Sequence, residues 1–318
     1  MKLQNVPTLA DIRNALEVIQ PFIHKTPLLQ SEQLNQLAQS ALFFKCENFQ
    51  KAGAFKSRGA MHALLSLDAN ELRRGVATHS SGNHAQALAR AAMILKTDAH
   101  IVMPETAPSV KVAAVKQYGG KITFCKPTLE ARESTLEAVM LKTGAELVHP
   151  YNDYTIIAGQ ATACLEMLQQ MPSPDYVLCP VGGGGLLSGT LLTIKYLSPK
   201  TKVIACEPSG ANDTWQSFKT GKLVPSLHPH TIADGLLTSL GSLTYPIIME
   251  NIDDVVTVDD NSIIDAMKLV WERMKIIIEP SSAVPVAVAL SGLSFLKGKK
   301  AGIILSGGNI DLNKIPWL

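Results

Sequence analysis

The segment GAFKSRGA, residues 53–60, sets Lys56 among small residues and directly after an aromatic, Phe55. A lysine taken singly is expected on the solvated surface, because its ammonium is costly to bury. The tight small-residue setting lowers that expectation for Lys56. A lysine amine can form a Schiff base with a carbonyl group, so Lys56 is a candidate for covalent catalysis.

A run of four glycines follows the apolar segment DYVLCPV and precedes an apolar-striped helix pattern. Glycine lets backbone N–H groups close on an anion, and a helix N-terminus adds its dipole. The run matches neither GxGxxG nor the P-loop, so a small phosphate monoester is favoured over a nucleotide. A lysine together with a phosphate cradle indicates pyridoxal phosphate held as a Schiff base. The glycines are Gly182, Gly183, Gly184 and Gly185.

The segment THSSGNHAQAL places small polar residues where a strand gives way to a helix beginning near Asn83 or His84. Such a helix N-terminus can receive a carboxylate, and Asn83 is free to bond a ligand. The structural alternative is that Ser80 or Ser81 caps the helix. His84 taken singly is more often structural than catalytic.

Two more strand ends carry polar groups. Ser306 follows the strand pattern AGIIL and precedes two glycines, which permit close approach to a ligand. Glu207 ends the strand pattern KVIACEP together with a proline, Asp213 follows it, and their oxygens suit a hard cation such as Mg²⁺ or Ca²⁺. On sequence alone a solvated loop is favoured over a metal site for these carboxylates.

Composition limits the classes of partner. A net charge of +2 is too small to argue for nucleic acid or an anionic membrane surface. No apolar run reaches the ~20 residues that a membrane span requires. The first 20 residues read as an amphipathic helix rather than a signal peptide, and the five cysteines form no CxxC pair. We therefore expect a cytoplasmic protein that acts on a small molecule.

Short apolar runs alternate with helical patterns along the chain, which predicts an α/β fold of open, largely parallel sheets. We assign residues 70–151 to a small domain, and residues 1–69 with 152–318 to a large domain, so that a site would lie between them. The predicted strands cover residues 41–46, 75–80, 99–104, 121–125, 175–181, 202–208 and 301–306. The predicted helices include residues 83–96, 128–144 and 261–274.

The motifs GAFKSRGA, SSGNHAQAL, PVGGGGLLSG, EPSSAV and LSGGN occur in this order. Together they resemble the pyridoxal-phosphate family of serine and threonine dehydratases and serine racemases, the tryptophan synthase β-like or fold type II group. The resemblance spans nearly the whole chain. It implies two α/β domains with the cofactor between them, in a homodimer.

The resemblance implies a role for each matching residue. Lys56 would carry the imine beside Phe55, Asn83 would bond the 3-hydroxyl of the cofactor ring, and the four glycines would hold its phosphate. Ser306 would face the pyridine nitrogen. The residues implied to contact the substrate are Ser80, Ser81, Gly82, His84, Arg132 and Ser239.

The reaction expected from this resemblance is α,β-elimination, which converts L-serine or L-threonine to a 2-oxo acid and ammonia. A neutral hydroxyl at Ser306 stabilises a protonated pyridine less than a carboxylate would, and this favours rapid elimination. Freed Lys56 would remove the α-proton. The chain ends soon after its last strand, so we expect no C-terminal regulatory domain and no feedback inhibition by isoleucine.

Other activities stay open. A serine racemase would use Ser81 as a second acid–base group opposite Lys56, although Tyr151 stands where the mammalian racemase pattern has asparagine. Arg132, if it points inward, would suit a second substrate carboxylate and hence 3-hydroxyaspartate. A cysteine-synthase-like β-replacement enzyme and a non-catalytic amino-acid sensor are the remaining alternatives, and the presence of Lys56 argues against a sensor.

The resemblance also implies two further sites. Glu207, the carbonyl of Ala211 and Asp213 match the divalent-cation site of the racemase-like members, which would take Mg²⁺, Ca²⁺ or Mn²⁺. Glu32 and Ala52 depart from the pattern of the ATP effector site in those members. The positions that match that effector site are Gln86, Lys111, Tyr118, Lys275 and Asn309.

Overall fold

The structure is a computed structural model that describes residues 2–171 and 173–317. Strands and helices alternate through most of the chain, as the sequence predicts. The ten strands of the described residues are β1 (Leu28–Leu29), β2 (Ala41–Cys46), β3 (Val76–His79), β4 (Ala99–Pro104), β5 (Lys121–Cys125), β6 (Glu146–Leu147), β7 (Tyr176–Pro180), β8 (Lys202–Pro208), β9 (Asp254–Val258) and β10 (Lys300–Leu305).

Thirteen α-helices of the described residues connect and cover these strands. They are α1 (Leu9–Ile19), α2 (Glu32–Ala38), α3 (Lys56–Leu65), α4 (Ala69–Arg74), α5 (Asn83–Leu95), α6 (Ser109–Gln117), α7 (Leu129–Thr143), α8 (Tyr154–Gln170), α9 (Gly185–Leu197), α10 (Asp213–Thr220), α11 (Thr244–Asn251), α12 (Asp260–Met274) and α13 (Pro280–Leu290).

The strands form two sheets. The larger has the order β1-β2-β10-β7-β8-β9, and the smaller has the order β5-β4-β3-β6. Every pairing is parallel except that of β1 with β2. The predicted α/β class with two open, largely parallel sheets is therefore confirmed. All four strands of the smaller sheet lie within residues 70–151, although the domain boundaries themselves stay a prediction.

The seven predicted strands form, with ends shifted by at most one residue, and three further strands were not predicted. β1 and β6 have two residues each and are too short to show a pattern. β9, DVVTV, is an edge strand that buries only two of its five residues. Edge strands lose the continuous apolar character that marks strands buried on both faces.

Parallel pairing brings the carboxyl ends of the strands to one edge of the larger sheet. Leu305 of β10 pairs with Cys46 of β2, and Pro180 of β7 pairs with Cys206 of β8. The segments that follow these strands therefore emerge side by side. In open α/β sheets this edge is where ligands bind.

Helix α8 packs closely against α3 and α9 because small residues lie at the contacts. A Cβ built on Gly159 would lie 2.6 Å from the Cα of Gly59, and one built on Gly189 would lie 2.6 Å from the backbone nitrogen of Ala161. Side chains larger than hydrogen would force the helices apart. Within the described residues, no helix has both the length and the apolar character needed to cross a membrane.

Candidate active site

Lys56 is the first residue of α3 and is half-buried. Its Nζ donates a 2.6 Å hydrogen bond to the carbonyl oxygen of Pro150 and lies 5.1 Å from the centre of the Phe55 ring. Burial lowers the pKa of the Lys56 ammonium from 10.5 to about 8. The amine is thus far easier to deprotonate than that of a surface lysine, as a nucleophile or base requires.

The four glycines connect β7 to the N-terminus of α9 and are buried. Gly184 has φ +88°, which disfavours other residues. A Cβ on Gly183 would lie 2.3 Å from Cδ1 of Tyr151, and one on Gly182 would lie 3.0 Å from Cα of Leu236. The loop therefore requires glycine, and the first backbone N–H groups of α9 are left without helical acceptors. This fits a phosphate group.

Ser306 is joined to the lysine segment through the backbone. The N–H of Phe55 donates to the carbonyl of Ser306 over 3.0 Å. The Ser306 hydroxyl is buried and lies 3.1 Å from the hydroxyl of Ser282, which also bonds the backbone of Gly307. The group at this position is therefore neutral and hydrogen-bonded to another neutral group.

Asn83 begins α5 and bonds across to two segments of the large sheet's edge. Its Nδ2 donates to Oε1 of Glu279 over 2.7 Å, and its Oδ1 accepts from Nδ2 of Asn309 over 2.9 Å. Burial raises the pKa of Glu279 to about 7, against an opposing effect of Lys111. Sequence reasoning did not identify Glu279, although it begins the quoted EPSSAV motif.

The SSGNH segment spans the N-terminus of α5, which begins at Asn83. Gly82 is the N-cap of α5, and no side chain caps it; the Ser80 hydroxyl accepts only from the N–H of Gly82, over 3.3 Å. The alternative that Ser80 or Ser81 caps this helix is therefore wrong. His84 is buried with Nε2 3.1 Å from the carbonyl of Val148. Burial and the nearby Lys56 lower its pKa well below the usual value, so His84 is neutral.

His149 and Tyr151 flank the carbonyl that Lys56 bonds; the sequence singled out Tyr151 only as a departure from the racemase pattern and did not indicate His149. Nδ1 of His149 accepts from the backbone N–H of Asn152 over 2.8 Å. Burial, His79 and Lys56 lower the pKa of His149 to about 4. The Tyr151 ring packs edge-on against His149 at 4.7 Å and covers the glycine loop. The only available signal was their position in the segment HPYNDY, which lies outside the motifs quoted above.

Two predicted substrate residues lie farther out on the surrounding segments. Arg132 is half-buried on α7, and its Nε is buried without a hydrogen-bond partner among the described residues. The charge of Arg132 acts on His79, where it lowers the pKa in addition to burial. The hydroxyl of Ser239 accepts from the N–H of Ser226 over 2.7 Å, so it helps to hold its own loop.

The predicted cation ligands lie at the end of β8 and just beyond it: Glu207 is the second-last residue of the strand, and Asp213 begins α10. Glu207 is buried and accepts from the N–H groups of Thr214 and Trp215, each over 2.9 Å. Burial and Asp213 raise the pKa of Glu207 to about 8, and burial raises that of Asp213 to about 6. Oδ2 of Asp213 is buried and has no partner within the described part of the chain. A bound cation would offset both the burial of these carboxylates and the repulsion between them, so the pair fits a cation.

These two carboxylates do not form a complete metal site from acidic, histidine or cysteine side chains. Among residues 2–171 and 173–317, no group of three or more such side chains could hold an ion. The third implied ligand, Ala211, lies buried in the turn between β8 and α10 and would offer its carbonyl.

The positions matching an effector site are dispersed over several elements. Lys111 on α6 is buried and forms an ion pair with Asp234. Burial alone would lower the pKa of Lys111, but the negative charges of Asp234 and Glu279 raise it above the usual value. Asn309 also donates to the carbonyl of Ala52 over 2.8 Å. The other three positions are the buried Gln86 on α5, Tyr118 at the end of α6 and Lys275 at the end of α12.

Comparison with known proteins identifies a family for this chain. Residues 19–307 match the family model described as pyridoxal-phosphate dependent enzyme. The chain belongs to this family. The lysine, the glycine loop and the neutral serine described above have the chemistry needed to hold pyridoxal phosphate.

Named relatives match over almost their whole length. The chain is 48% identical to the beta-hydroxyaspartate dehydratase of Paracoccus denitrificans, covering 98% of this chain and 99% of the relative. It is 52% identical to the serine racemase of Dictyostelium discoideum, covering 97% and 96%. The solved T.th. threonine deaminase is 40% identical, with a TM-score of 0.91 and coverage of 96% and 99%. The family resemblance predicted from the motifs is confirmed.

The lowered pKa of Lys56 gives a pH prediction. We expect the rate at which the cofactor-free protein forms its covalent link with pyridoxal phosphate to rise with pH and to reach its half-maximum near pH 8, because only the neutral amine attacks. The absorbance of the lysine–cofactor link, followed after mixing at each pH, measures the rate. A Lys56→Ala variant is the control and should form no link. A midpoint near that of exposed lysine, 10.5, would contradict the desolvation argument.

Proposed function

We propose that this pyridoxal-phosphate enzyme is a serine/threonine dehydratase, which converts L-serine or L-threonine to a 2-oxo acid and ammonia by α,β-elimination. The observation that supports it is the combination, at one site, of a desolvated lysine amine with a neutral hydroxyl at Ser306. With pyridoxal phosphate bound, such a hydroxyl would face the ring nitrogen in place of a carboxylate. That environment would favour loss of the β-substituent over prolonged accumulation of negative charge on the ring.

The chain's own groups have the following roles in this proposal. Bound pyridoxal phosphate supplies the electron sink that makes the Cα–H bond of the amino acid acidic. Lys56, with its lowered pKa, takes the α-proton as a neutral amine. The segment before α5 binds the substrate carboxylate with backbone N–H groups, since the side chain of Ser80 does not cap that helix. The glycine loop and the α9 N-terminus hold the phosphate.

Two related activities each have an observation in their favour. Racemisation needs an acid–base group on the face opposite Lys56, and the hydroxyl of Ser81 is not used as a helix cap. Dehydration of 3-hydroxyaspartate needs a cation for the second carboxylate, and Nε of Arg132 is buried without a partner among the described residues. A relative at 48% identity bears the name beta-hydroxyaspartate dehydratase. Both activities are therefore alternatives within the same site, whereas β-replacement has no comparable support.

We also propose a divalent cation at Glu207, Asp213 and the carbonyl of Ala211. Two buried carboxylates with raised pKa values are unfavourable neighbours unless a proton or a cation lies between them. A hard cation with oxygen ligands and water suits this set.

Three other proposals have less support. An ATP effector would bind near Lys111 and Asn309, both of which already bond protein groups. Homodimer formation is carried over from the family resemblance. A cytoplasmic location is supported by the five cysteines, all of which are free and buried.

The experiment that tests the main proposal is an assay of the purified holoenzyme with L-serine, D-serine, L-threonine and 3-hydroxyaspartate. We expect 2-oxo acid and ammonia from L-serine or L-threonine, and their loss by at least about 1,000-fold in Lys56→Ala, because the base and the covalent anchor are removed together. No reaction with any of the four, despite a normal lysine–cofactor absorbance, would disprove the dehydratase and turn attention to β-replacement.

Variants at Ser81 and Arg132 separate the alternatives. If the enzyme is a dehydratase alone, Ser81→Ala keeps oxo acid formation within about 10-fold and wild type forms no opposite enantiomer, as chiral chromatography would show. Enantiomer formed by wild type and lost in Ser81→Ala identifies a two-base racemase. An Arg132→Gln loss of at least about 10-fold in kcat/KM for 3-hydroxyaspartate, with L-serine unchanged, identifies the second-carboxylate site; equal effects on both substrates would exclude it.

Cation binding predicts a change in thermal stability. Millimolar Mg²⁺, Mn²⁺ or Ca²⁺ should raise Tm, because a ligand that binds only the folded state stabilises it. The increase should disappear in Glu207→Gln and in Asp213→Asn, whereas Glu250→Gln, an exposed carboxylate on α11, should retain it. If Tm still rises in both site variants, the added cation binds elsewhere on the protein and the proposed site is wrong.

A further inference from the structure

The first turn of α3, which carries Lys56, has no conventional N-terminal anchor. Its N-cap is Phe55, whose side chain makes no capping hydrogen bond. Backbone bonds hold this turn at its start: the N–H of Phe55 donates to the carbonyl of Ser306 over 3.0 Å, and the N–H of Arg58 donates to the carbonyl of Phe55 over 3.0 Å. A lysine used for covalent chemistry also needs its helix held in place against the helices and strands on its other side, and there side-chain bonds contribute.

Arg58, two residues after Lys56, is fully buried and bonds two carboxylates. Its Nε and Nη2 donate to Oε2 and Oε1 of Glu47, over 2.7 and 2.8 Å. Its Nη1 and Nη2 donate to Oε1 and Oε2 of Glu166, over 2.9 and 2.8 Å. The guanidinium thus forms a bidentate interaction with each of the two carboxylates, a geometry that only arginine can supply.

A second cation balances the charge. Nζ of Lys45 is fully buried and donates to Oε2 of Glu166 and to the carbonyl of Thr26, each over 2.8 Å, and to Oε1 of Gln170 over 3.2 Å. The hydroxyl of Thr26 donates to Oε1 of Glu47 over 2.6 Å. Two cations therefore meet two carboxylates in the interior, and the cluster of Lys45, Glu47, Arg58 and Glu166, here named the buried ion cluster, has no net charge.

The buried ion cluster joins the elements around the lysine. Glu47 directly follows β2, Glu166 lies on α8, and Arg58 lies on α3. The contact of Gly59 with Gly159 already sets how closely α3 and α8 approach. That contact is apolar and not directional, whereas the guanidinium bonds are directional and add to two other bonds between these helices, from the N–H of Gly59 to Oε1 of Gln160 over 3.3 Å and between Nδ1 of His62 and the carbonyl of Thr155 over 2.8 Å.

We propose that Arg58 is a positioning residue, which through Glu47 and Glu166 fixes the first turn of α3 so that the Lys56 amine meets the cofactor and the substrate in one place. This rests on the proposed function only for the catalytic readout. The cluster is neutral and is not hydrogen-bonded to Lys56, so it acts by geometry rather than by changing the charge of the amine.

Arginine and lysine differ in this role. Arg58→Lys retains the charge balance but offers a single ammonium in place of the planar fork. A displacement of about 1 Å of a reacting group costs up to about 100-fold in rate. We therefore expect Arg58→Lys to slow formation of the lysine–cofactor link and kcat by at least about 10-fold, with KM within about 3-fold.

The experiment compares Arg58→Lys with Lys45→Met in the holoenzyme and after removal and re-addition of pyridoxal phosphate. Lys45→Met removes a cation from the same cluster but leaves all four Arg58 bonds in place, and Lys45 lies on β2 rather than α3. Both variants should lower Tm, because each disturbs buried charges. Only Arg58→Lys should slow link formation and kcat. The pH midpoint of link formation should stay that of wild type in both.

Losses of link rate and kcat that are equal in the two variants, or absent from Arg58→Lys, would overturn the proposal and leave the cluster a purely structural feature. A shifted pH midpoint in Arg58→Lys would overturn it too, by showing an electrostatic effect. If Arg58→Lys does not fold, Glu47→Gln takes its place in the same comparison, since it removes the negative charge of one of the two carboxylates that Arg58 bonds. If wild type turns over none of the hydroxy amino acids, the proposed function fails, while the link rates still decide the role of Arg58.

Discussion

The removal of the Lys56 amine from water is the constraint on which the site depends. Its pKa falls to about 8 because the surrounding chain provides burial and no carboxylate partner. Among the described residues, the ammonium donates a hydrogen bond to the carbonyl of Pro150, a neutral acceptor. A carboxylate in that place would have kept the lysine charged and inert as a base.

Two histidines and a serine near the lysine are uncharged as well. His84 and His149 have lowered pKa values, and Ser306 bonds another hydroxyl. Charge is instead collected deeper in the protein, in the buried ion cluster that includes Arg58. The molecule thus combines uncharged groups next to the lysine amine with strong directional bonds for the helix that carries the lysine. Buried ions are costly, and full pairing is what makes them tolerable.

Local pattern predicted the buried strands well and the edge strands poorly. β8 and β4 are covered on both faces, so the ends of their apolar runs coincide with the ends of the strands. β9 lies at the edge of its sheet and is only partly buried, and β6 consists of two residues that pair with β3. Their extent depends on neighbours distant in sequence, which no local window contains.

The sequence by itself determined the fold class, the lysine and the glycine loop, because these require particular residue types at particular spacings. Tertiary structure decided what surrounds them. Pro150 lies 94 residues from Lys56, and Glu279 lies 196 residues from Asn83. A carbonyl or an ordinary side chain acquires a role only when sheet and helix packing bring it near. The charge state of Lys56 was likewise settled by folding, since desolvation depends on every neighbour and not on the residue itself.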